Sequence, residues 1–298
     1  MKVKFLNWWS NGRDDFFYLF VKNYIDSNAI LSEDPDILFC SVFGERDSIV
    51  NYLKTYPNIK CKIFFTGENT EFHPSHNKYD DYMKEHMDIC LGFKKNNGKI
   101  LRFPLWLTYI NFENNMGKKC YNFKELLNKN NNSNRKKFCC MLSNVDYDSM
   151  YRTKIFNILS TYKRVDSAGK LHKNVNYIVK RGEENKKKWL QNYKFNICFE
   201  NSLSPGYTTE KLLECLMAGC IPIYFGDNPV DDKFFNQEAI INLNCSNFGE
   251  KINSIVMLNE NQQKYEEFRK ITVIKDDAIQ FINRKYSELL LLIKKLLK

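Results

Sequence analysis

The sequence lacks the short patterns that mark metal sites, disulfide scaffolds and nucleotide-binding loops. Its ten cysteines stand singly except for Cys139 and Cys140, and neither a CxxC pair nor a cysteine–histidine ligand spacing occurs. Zinc sites and disulfide frameworks are therefore both disfavoured. Most cysteines lie inside apolar runs such as DILFC and FNICF, which fits buried, reduced thiols. GxGxxG and GxxxxGK(S/T) are also missing, so the sequence supports neither a dinucleotide fingerprint nor a P-loop.

Long apolar runs are missing as well. No segment reaches the roughly 18 apolar residues that a membrane-spanning helix needs. The first residues, MKVKFLNWWSNG, carry neither the apolar core nor the cleavage site of a signal peptide. We therefore expect a cytoplasmic protein that is soluble or peripherally attached to a membrane.

The charge balance is positive, with 45 Lys and Arg against 35 Asp and Glu and a net charge of +10. Such an excess favours phosphate-bearing ligands, anionic membrane surfaces or nucleic acid as partners. The alternative is that the lysines only solvate the surface. The charge alone does not choose among these.

What the sequence does contain is an alternation of short apolar runs with longer amphipathic stretches, which predicts an α/β fold with buried parallel strands. The polar stretch LNKNNNSNRKK, residues 127–137, interrupts this alternation near the middle of the chain. It is either a linker between two α/β halves or a long loop inside one domain. We predict an N-terminal domain at residues 1–130, a C-terminal domain at 131–298, and a ligand between them.

The chain ends in AIQFINRKYSELLLLIKKLLK, in which apolar residues at helical spacing alternate with basic ones. This pattern predicts an amphipathic helix at the end of the second domain. The helix either packs back on the protein or makes a peripheral membrane contact through its basic, apolar surface.

The stretch FENSLSPGYTTEK, residues 199–211, follows a predicted strand and begins a predicted helix. Glu210 either satisfies the positive end of the helix dipole or accepts hydrogen bonds from the vicinal hydroxyls of a ribose. Lys211 is disfavoured in the first helical turn unless an anion lies nearby, and a phosphate held by helix N–H groups would supply one. With Tyr207 donating its hydroxyl, a nucleotide diphosphate sugar would satisfy all three residues.

Three features in the first half could face the same ligand. Glu68, in FFTGEN, ends an apolar strand, where a carboxylate is well placed to take a proton, although a lone glutamate in a turn is more often a surface residue. Trp8 and Trp9 follow the first strand and either stack on acceptor sugars or pack in the core. His73 either contacts the acceptor or lies in a surface loop.

These motifs resemble glycosyltransferase family 10, the α-1,3-fucosyltransferases. The run YKFNICFENSLSPGYTTEKLLECLMAGCIPIYFG is similar to the family signature of FEN, a short loop, Y-x-T-E-K, a helix and a P-I/V-Y/L-x-G strand. Segments similar to those of bacterial members occur in the same order: VKFLNWW, KIFFTGEN, DICLGF, LRFPLW, CMLSN and YKRVDSAG. The resemblance implies a GT-B architecture, with two Rossmann-like domains facing a central cleft. The C-terminal domain would bind GDP-fucose and the N-terminal domain an oligosaccharide acceptor.

The resemblance also implies roles for single residues of the second half. Asn201, Tyr207, Glu210 and Lys211 would hold the ribose and diphosphate of the donor. Upstream, where family members carry a phosphate-binding arginine, this sequence has DSAGKLHKNVNY. Lys173 or Lys170 would replace that arginine, as a point charge without the bidentate fork.

Arg152 matches an arginine common in the family, either as a donor contact or as a structural residue. Glu68 matches the family's catalytic base and would deprotonate O3 of a GlcNAc unit as that oxygen attacks fucose C1, inverting a β-linkage to an α-linkage. No convincing DxD ligand set is present, so we expect no essential divalent metal and no cofactor beyond the donor substrate. The alternatives are a GT-B transferase for another nucleotide sugar and a basic nucleic-acid-binding protein; the leading interpretation includes no nucleic-acid partner.

Overall fold

The computed structural model describes residues 1–72, 79–111, 121–123, 126, 135–146, 150–180, 182–231 and 233–298. The chain divides into two compact units. The first consists of Met1–Asn122 together with Ile279–Lys298, and the second is Phe123–Ala278.

The first unit is built on a sheet whose strand pairs are all parallel, in the order β2-β1-β3-β4-β5-β6. Its strands are β1 (Lys2–Leu6), β2 (Ile30–Leu31), β3 (Ile37–Cys40), β4 (Cys61–Phe65), β5 (Ile89–Gly92) and β6 (Ile100–Arg102). Its helices are α1 (Phe16–Tyr24), α2 (Arg46–Thr55), α3 (Tyr79–His86) and a 3₁₀ turn at Leu105–Tyr109. A small parallel pair is formed by β7 (Ile110–Asn111) and β8 (Tyr121–Asn122).

Burial explains why these segments adopt their structures. All four residues of β3 are buried, as expected for a strand of a parallel sheet covered on both faces. Helix α1 begins after Asp15, whose side chain accepts a hydrogen bond from the N–H of Phe17 at 2.9 Å. This cap satisfies one of the free N–H groups of the first turn. The apolar face of α1 is buried through Phe16, Phe17, Phe20 and Val21.

The second unit has a sheet of parallel pairs in the order β10-β9-β11-β12-β13. Its strands are β9 (Lys137–Met141), β10 (Val165–Ser167), β11 (Tyr193–Ile197), β12 (Ile221–Tyr224) and β13 (Ile241–Asn242). Its helices are α4 (Tyr151–Tyr162), α5 (Glu183–Leu190), α6 (Glu210–Met217), α7 (Phe248–Glu260) and α8 (Gln262–Lys270). The strand–helix alternation confirms the predicted α/β class.

The last helix, α9 (Ala278–Leu297), groups with the first unit. Its buried stripe includes Tyr286, whose ring lies 5.7 Å from that of Phe16 and whose hydroxyl donates to the carbonyl of Ile110 at 3.5 Å. The sequence-based division assigned this helix to the second domain. The observed grouping differs from the predicted one because the apolar positions of a helix indicate that it packs against the protein but do not indicate which unit it packs against. Peripheral membrane contact through α9 stays a prediction.

Among the described residues, none of the helices combines the length and the apolar character needed to cross a bilayer.

Candidate functional site

The segment between β11 and α6 follows the carboxyl end of a central strand of the second sheet. The chain stays beside β12 for a few residues, since the N–H of Cys198 donates to Ile223 O and that of Glu200 to Phe225 O, both at 3.0 Å. It then turns through Gly206, whose φ of +81° favours glycine. Helix α6 begins at Glu210 with Thr209 as its N-cap residue. Ligands of open parallel sheets bind at this edge.

Glu200 is the centre of this segment. Its carboxylate is fully buried and accepts hydrogen bonds from the Thr209 N–H (2.8 Å), the Thr209 hydroxyl (2.6 Å) and the Tyr224 hydroxyl (3.1 Å). Burial raises the pKa of Glu200 above its usual value, although Lys211 and the Thr209 donors oppose that shift. The sequence did not single out this residue. The available signal was a glutamate at the end of the apolar run FNICFE.

Lys211 lies beside this carboxylate. Its ammonium is 2.9 Å from the hydroxyl oxygen of Thr209, 3.5 Å from Glu210 Oε1 and 3.7 Å from Glu200 Oε2. The sequence suggested that a lysine at this position needs an anionic ligand to offset the helix dipole. The two carboxylates supply negative charge of their own, so the position of Lys211 does not by itself require a ligand.

Glu210 is the first residue of α6 and is partly exposed, with about one fifth of its side chain accessible (20%). Burial would raise its pKa, but the charges of Lys211 and Lys186 outweigh burial and the pKa is lowered. Glu210 is therefore ionised near neutral pH. One helical turn later, Glu214 is buried and forms an ion pair with Lys186 of α5. Burial raises the pKa of Glu214 to about 6.

Arg152 and Asn201 are brought together. The buried Arg152 guanidinium donates to Asn201 Oδ1 at 2.8 Å, to the carbonyl of Phe199 at 2.7 Å and to that of Val145 at 2.8 Å. Arg152 thus ties the start of α4 to the loop after β11. Of the two roles that the sequence left open for Arg152, these contacts support the structural one.

Tyr207 and Lys173 differ in their surroundings. Tyr207 is buried in the loop before α6, and its N–H donates to Ser204 O at 3.0 Å. Lys173 is exposed, and among the described residues no contact joins it to the other predicted donor residues. Its segment does lie at the carboxyl edge of the sheet, because the N–H of Lys170 donates to Asn144 Oδ1 at 3.1 Å, just beyond β9.

The predicted base lies at the corresponding edge of the first unit. Glu68 is half-buried three residues beyond β4, and its N–H donates to the hydroxyl of Thr66 at 3.0 Å, which returns a hydrogen bond to Glu68 O at 3.3 Å. A Cβ on Gly67 would lie 2.7 Å from the side chain of Leu105. The turn that carries Glu68 is therefore closely fixed.

Trp8 and Trp9 stack on each other with ring centroids 4.3 Å apart, just after β1. Trp8 is half-buried and donates its indole N–H to Asp15 at 2.8 Å. Trp9 is 42% exposed and contacts Phe43, itself 48% exposed, at 5.8 Å. One tryptophan therefore packs while the other presents a ring to solvent. His73 lies outside the described residues.

Metal ligands do not cluster in the part of the chain that the structure describes: no group of three or more His, Cys, Asp or Glu side chains there is arranged to hold an ion.

Comparison with known proteins adds the family context. The sequence model described as "Glycosyltransferase family 10 (fucosyltransferase) C-term" matches residues 131–278. The one described as "Alpha-(1,3)-fucosyltransferase FucT N-terminal domain" matches residues 3–109. The chain is 26% identical over 296 residues to the alpha-(1,3)-fucosyltransferase FucT of Helicobacter pylori, an alignment that covers 89% of this chain and 58% of that protein. It is 39% identical over 82 residues to GDP-fucose protein O-fucosyltransferase 3 of Gallus gallus, covering 27% and 17% of the two chains.

Solved structures show the same fold. A crystal structure of an alpha1,3-fucosyltransferase with GDP superposes with a TM-score of 0.71 at 23% identity, covering 100% of this chain and 90% of the other. An alpha-glucosyltransferase in complex with UDP matches more distantly, with a TM-score of 0.50 at 10% identity over 97% and 99% of the two chains. The present chain spans 58% of the length of the Helicobacter pylori relative. Two family models match most of the length of the chain, and its structural neighbours have the GT-B fold. The chain therefore belongs to glycosyltransferase family 10, the fucosyltransferase family.

Proposed function

We propose that this protein transfers L-fucose from GDP-fucose to a hydroxyl group of a GlcNAc-containing glycan, with inversion at fucose C1. The observation that carries the proposal is the start of α6, where Glu210 Oε1 and the Lys211 ammonium lie 3.5 Å apart at the carboxyl edge of a parallel sheet. In a chain of this family, these two groups fit the ribose and diphosphate of a nucleotide sugar.

The donor contacts follow from the charges at this helix start. Ionised Glu210 would accept hydrogen bonds from the two ribose hydroxyls, which a protonated carboxyl group does less well. Lys211 and the N–H groups at the start of α6 would bind the diphosphate. Because burial already raises the pKa of Glu200, an arriving diphosphate favours its protonated form. Protonation of Glu200 would leave the charge of Lys211 for the phosphates.

Asn201 and Tyr207 would complete the donor site. Arg152 holds Oδ1 of Asn201, so the Nδ2 donors are the part of this side chain left for the ligand. Tyr207 would contribute its hydroxyl. Lys173, which is exposed, would approach the phosphates only from the rim of the site.

For the chemical step, Glu68 would act as the general base. It would remove the proton of the acceptor hydroxyl while that oxygen attacks fucose C1, in a transition state with oxocarbenium character. Negative charge grows on the departing diphosphate, and Lys211 with the α6 N-terminus would stabilise it more strongly than in the ground state. These positive groups are the basis for proposing that no divalent metal is essential.

The proposal also specifies the acceptor sugar and the linkage that is formed. The relative that aligns over most of the chain carries the name alpha-(1,3)-fucosyltransferase, which supports an α-1,3 linkage to GlcNAc. A shorter match is a protein O-fucosyltransferase by name. The exposed ring of Trp9 would stack on a sugar of the acceptor.

Ligand-dependent thermal unfolding tests the donor. GDP-fucose, GDP-mannose, UDP-galactose and a short DNA duplex are compared at equal concentration. At a hundredfold excess over Kd, stabilisation is about 2.7 kcal/mol and the rise in Tm roughly 5–10 °C. A rise with GDP-fucose that Lys211→Ala abolishes supports the proposal, and the exposed Lys270→Gln serves as the control variant. No response to either GDP sugar overturns it, and a response to UDP-galactose alone favours a different nucleotide-sugar transferase.

A further inference from the structure

A cavity separate from the candidate donor residues lies in the second unit and has a volume of about 770 Å³. Its lining includes Lys137 at the start of β9, Arg164 just before β10 and Tyr193 at the start of β11. The loop and helix that carry Asn201 and Lys211 follow the opposite, carboxyl end of β11. Because all strand pairs of this sheet are parallel, the cavity and the candidate donor residues lie at opposite ends of it.

The lining of this amino-end cavity is strongly positive. Among the described residues that line it, four carry cationic side chains, Lys136, Lys137, Lys163 and Arg164, and one carries a carboxylate, Asp166. Like charges gathered in a concave surface repel one another, and a concave wall of low dielectric focuses their field on the space between them. An anion bound there would relieve this repulsion.

Two of the four cations are fixed in place by the protein. Asp166 is buried and accepts hydrogen bonds from Arg164 Nε at 2.7 Å, from Lys137 Nζ at 3.1 Å and from the Tyr193 hydroxyl at 2.8 Å. Arg164 Nη2 also donates to the carbonyl of Asn174 at 2.9 Å. These contacts order the two basic groups in advance, which lowers the entropic cost of binding a ligand.

The other two cations are not neutralised in this way. Neither the Lys136 nor the Lys163 ammonium has an ion-pair partner among the residues that the structure describes. Both lysines are exposed residues of the lining, and we refer to these two as the rim lysines. Their charges are therefore available to a ligand, while the buried Asp166 carboxylate already accepts hydrogen bonds from three donors.

The size of the cavity limits the ligand further. Its volume falls in the range of roughly 300–1,000 Å³ that is usual for sites of whole small molecules, and a bare phosphate would fill only a small part of it. Apolar or aromatic surface is present beside the cations, from Phe138, Val175 and Tyr177. Tyr177 is held by the indole N–H of Trp189, which donates to its hydroxyl at 2.8 Å.

We propose that the amino-end cavity is a second anion site, which binds the phosphate group of a small organic phosphate or of a lipid headgroup. The rim lysines Lys136 and Lys163 would contact the phosphate together with Lys137 and Arg164, which are held by Asp166. Tyr177 would pack against the organic part. The proposal does not depend on fucosyl transfer, since the donor residues take no part in this site.

Binding of inorganic pyrophosphate, measured by calorimetry, tests this site. The reference protein carries Lys211→Ala, which weakens any binding at α6. We expect one pyrophosphate per chain, with an affinity that falls as salt is added. The variant Lys136→Gln/Lys163→Gln, in the same background, should raise Kd about tenfold, because two charge-assisted contacts are lost. The matched control Lys233→Gln/Lys270→Gln makes the same charge change at exposed lysines outside the cavity and should leave Kd unchanged.

A second arm separates the two sources of phosphate. Phosphatidylcholine vesicles with and without phosphatidic acid are sedimented with the protein in the presence or absence of pyrophosphate. Capture that needs phosphatidic acid, that pyrophosphate displaces and that the rim variant loses identifies a lipid headgroup. Pyrophosphate binding without capture identifies a soluble phosphate. No pyrophosphate binding, or equal Kd values for the rim variant and its control, overturns the proposal.

Discussion

Glu200 accepts hydrogen bonds from Thr209 with both of its carboxylate oxygens, from the backbone N–H at 2.8 Å and from the hydroxyl at 2.6 Å. The two residues are nine positions apart, and the chain between them forms the loop that ends at α6. Because Thr209 is the N-cap residue of that helix, Glu200 determines where the first turn of α6, with Glu210 and Lys211, stands relative to the sheet.

The variant Glu200→Gln should be less stable than the wild type by about 1–3 kcal/mol, because a buried Thr209 donor would then face an amide group that cannot accept its hydrogen bond. Urea unfolding monitored by circular dichroism measures the difference. Glu184→Gln, at an exposed position of α5, is the matched control and should change stability little. Equal stability of both variants would show that Glu200 does not hold the loop.

The elements that carry the candidate site could be predicted from the sequence, but the contacts between them could not. The strand β11, the start of a helix within the TTEK stretch and the α/β alternation are local patterns of a few residues, and they were predicted. The role of Glu200 depends on the hydroxyl of Tyr224, which lies on the next strand and 24 positions along the chain. Likewise Lys186 reaches Glu214 from a different helix. Such pairings depend on which elements become neighbours, which periodicity does not encode.

The conclusion drawn from Lys211 shows the same limit in another form. A lysine in a first helical turn is unfavourable locally, and the sequence suggested a bound anion as compensation. In the fold, the compensating charge includes Glu200, a residue eleven positions earlier. Local rules correctly identified the unfavourable position of Lys211. They did not identify Glu200 as the compensating charge, because the folded loop between β11 and α6 brings the two residues together.

Gly226 should not tolerate even one additional methyl group. A Cβ at this position would lie 2.3 Å from the hydroxyl oxygen of Tyr224, and the Tyr224 ring cannot withdraw without losing its hydrogen bond to Glu200. We expect Gly226→Ala to cost roughly 1–3 kcal/mol, as overpacking usually does. Chemical denaturation provides the measurement.

Gly249→Ala is the natural comparison for this variant. This glycine lies in α7 with open space around the site of a Cβ, so alanine there should stabilise the protein by about 0.4–1 kcal/mol. If both substitutions had the same effect, steric conflict with Tyr224 would not be the cause.

The buried Glu214 should make stability depend on pH in a specific direction. Its pKa in the folded protein is raised to about 6 from an ordinary value of 4.5, chiefly by burial. The folded state therefore holds more protons than the unfolded state between these pH values. This group's contribution is complete below pH 4.5 and is lost as the pH rises through about 6.

The free energy of unfolding of the wild type and of Glu214→Gln is measured between pH 4 and pH 7. About 1–2 kcal/mol of the pH dependence seen in the wild type should be absent from the variant. Taking the difference between the two proteins removes the contribution of Asp166, whose pKa is lowered and which acts in the opposite direction. Parallel stability curves for the two proteins would contradict the assignment.

If Glu68 is the general base, Glu68→Gln should bind GDP-fucose as well as the wild type and lose transfer. The amide keeps the shape of the side chain but does not take up the acceptor proton, so kcat should fall by about 10²–10⁴-fold. Calorimetry with GDP-fucose and a transfer assay provide the two readings. Loss of donor binding along with transfer would instead mark Glu68 as a residue that binds the donor or supports the fold.

Trp9 should act on the acceptor and not on the donor. Its ring is 42% exposed, while Trp8 next to it is held by its hydrogen bond to Asp15. Truncating Trp9 should therefore remove the exposed ring without moving Trp8. We expect Trp9→Ala to raise KM for a GlcNAc-containing acceptor by about 3–10-fold, the loss of one aromatic contact, with KM for GDP-fucose unchanged. Trp9→Phe should recover part of the loss, and Ile178→Ala, which removes an apolar side chain that is 76% exposed in the second unit, should change neither constant. An unchanged acceptor KM in Trp9→Ala would leave packing as the role of both tryptophans, because the loss of a ring that stacks on the acceptor must weaken acceptor binding.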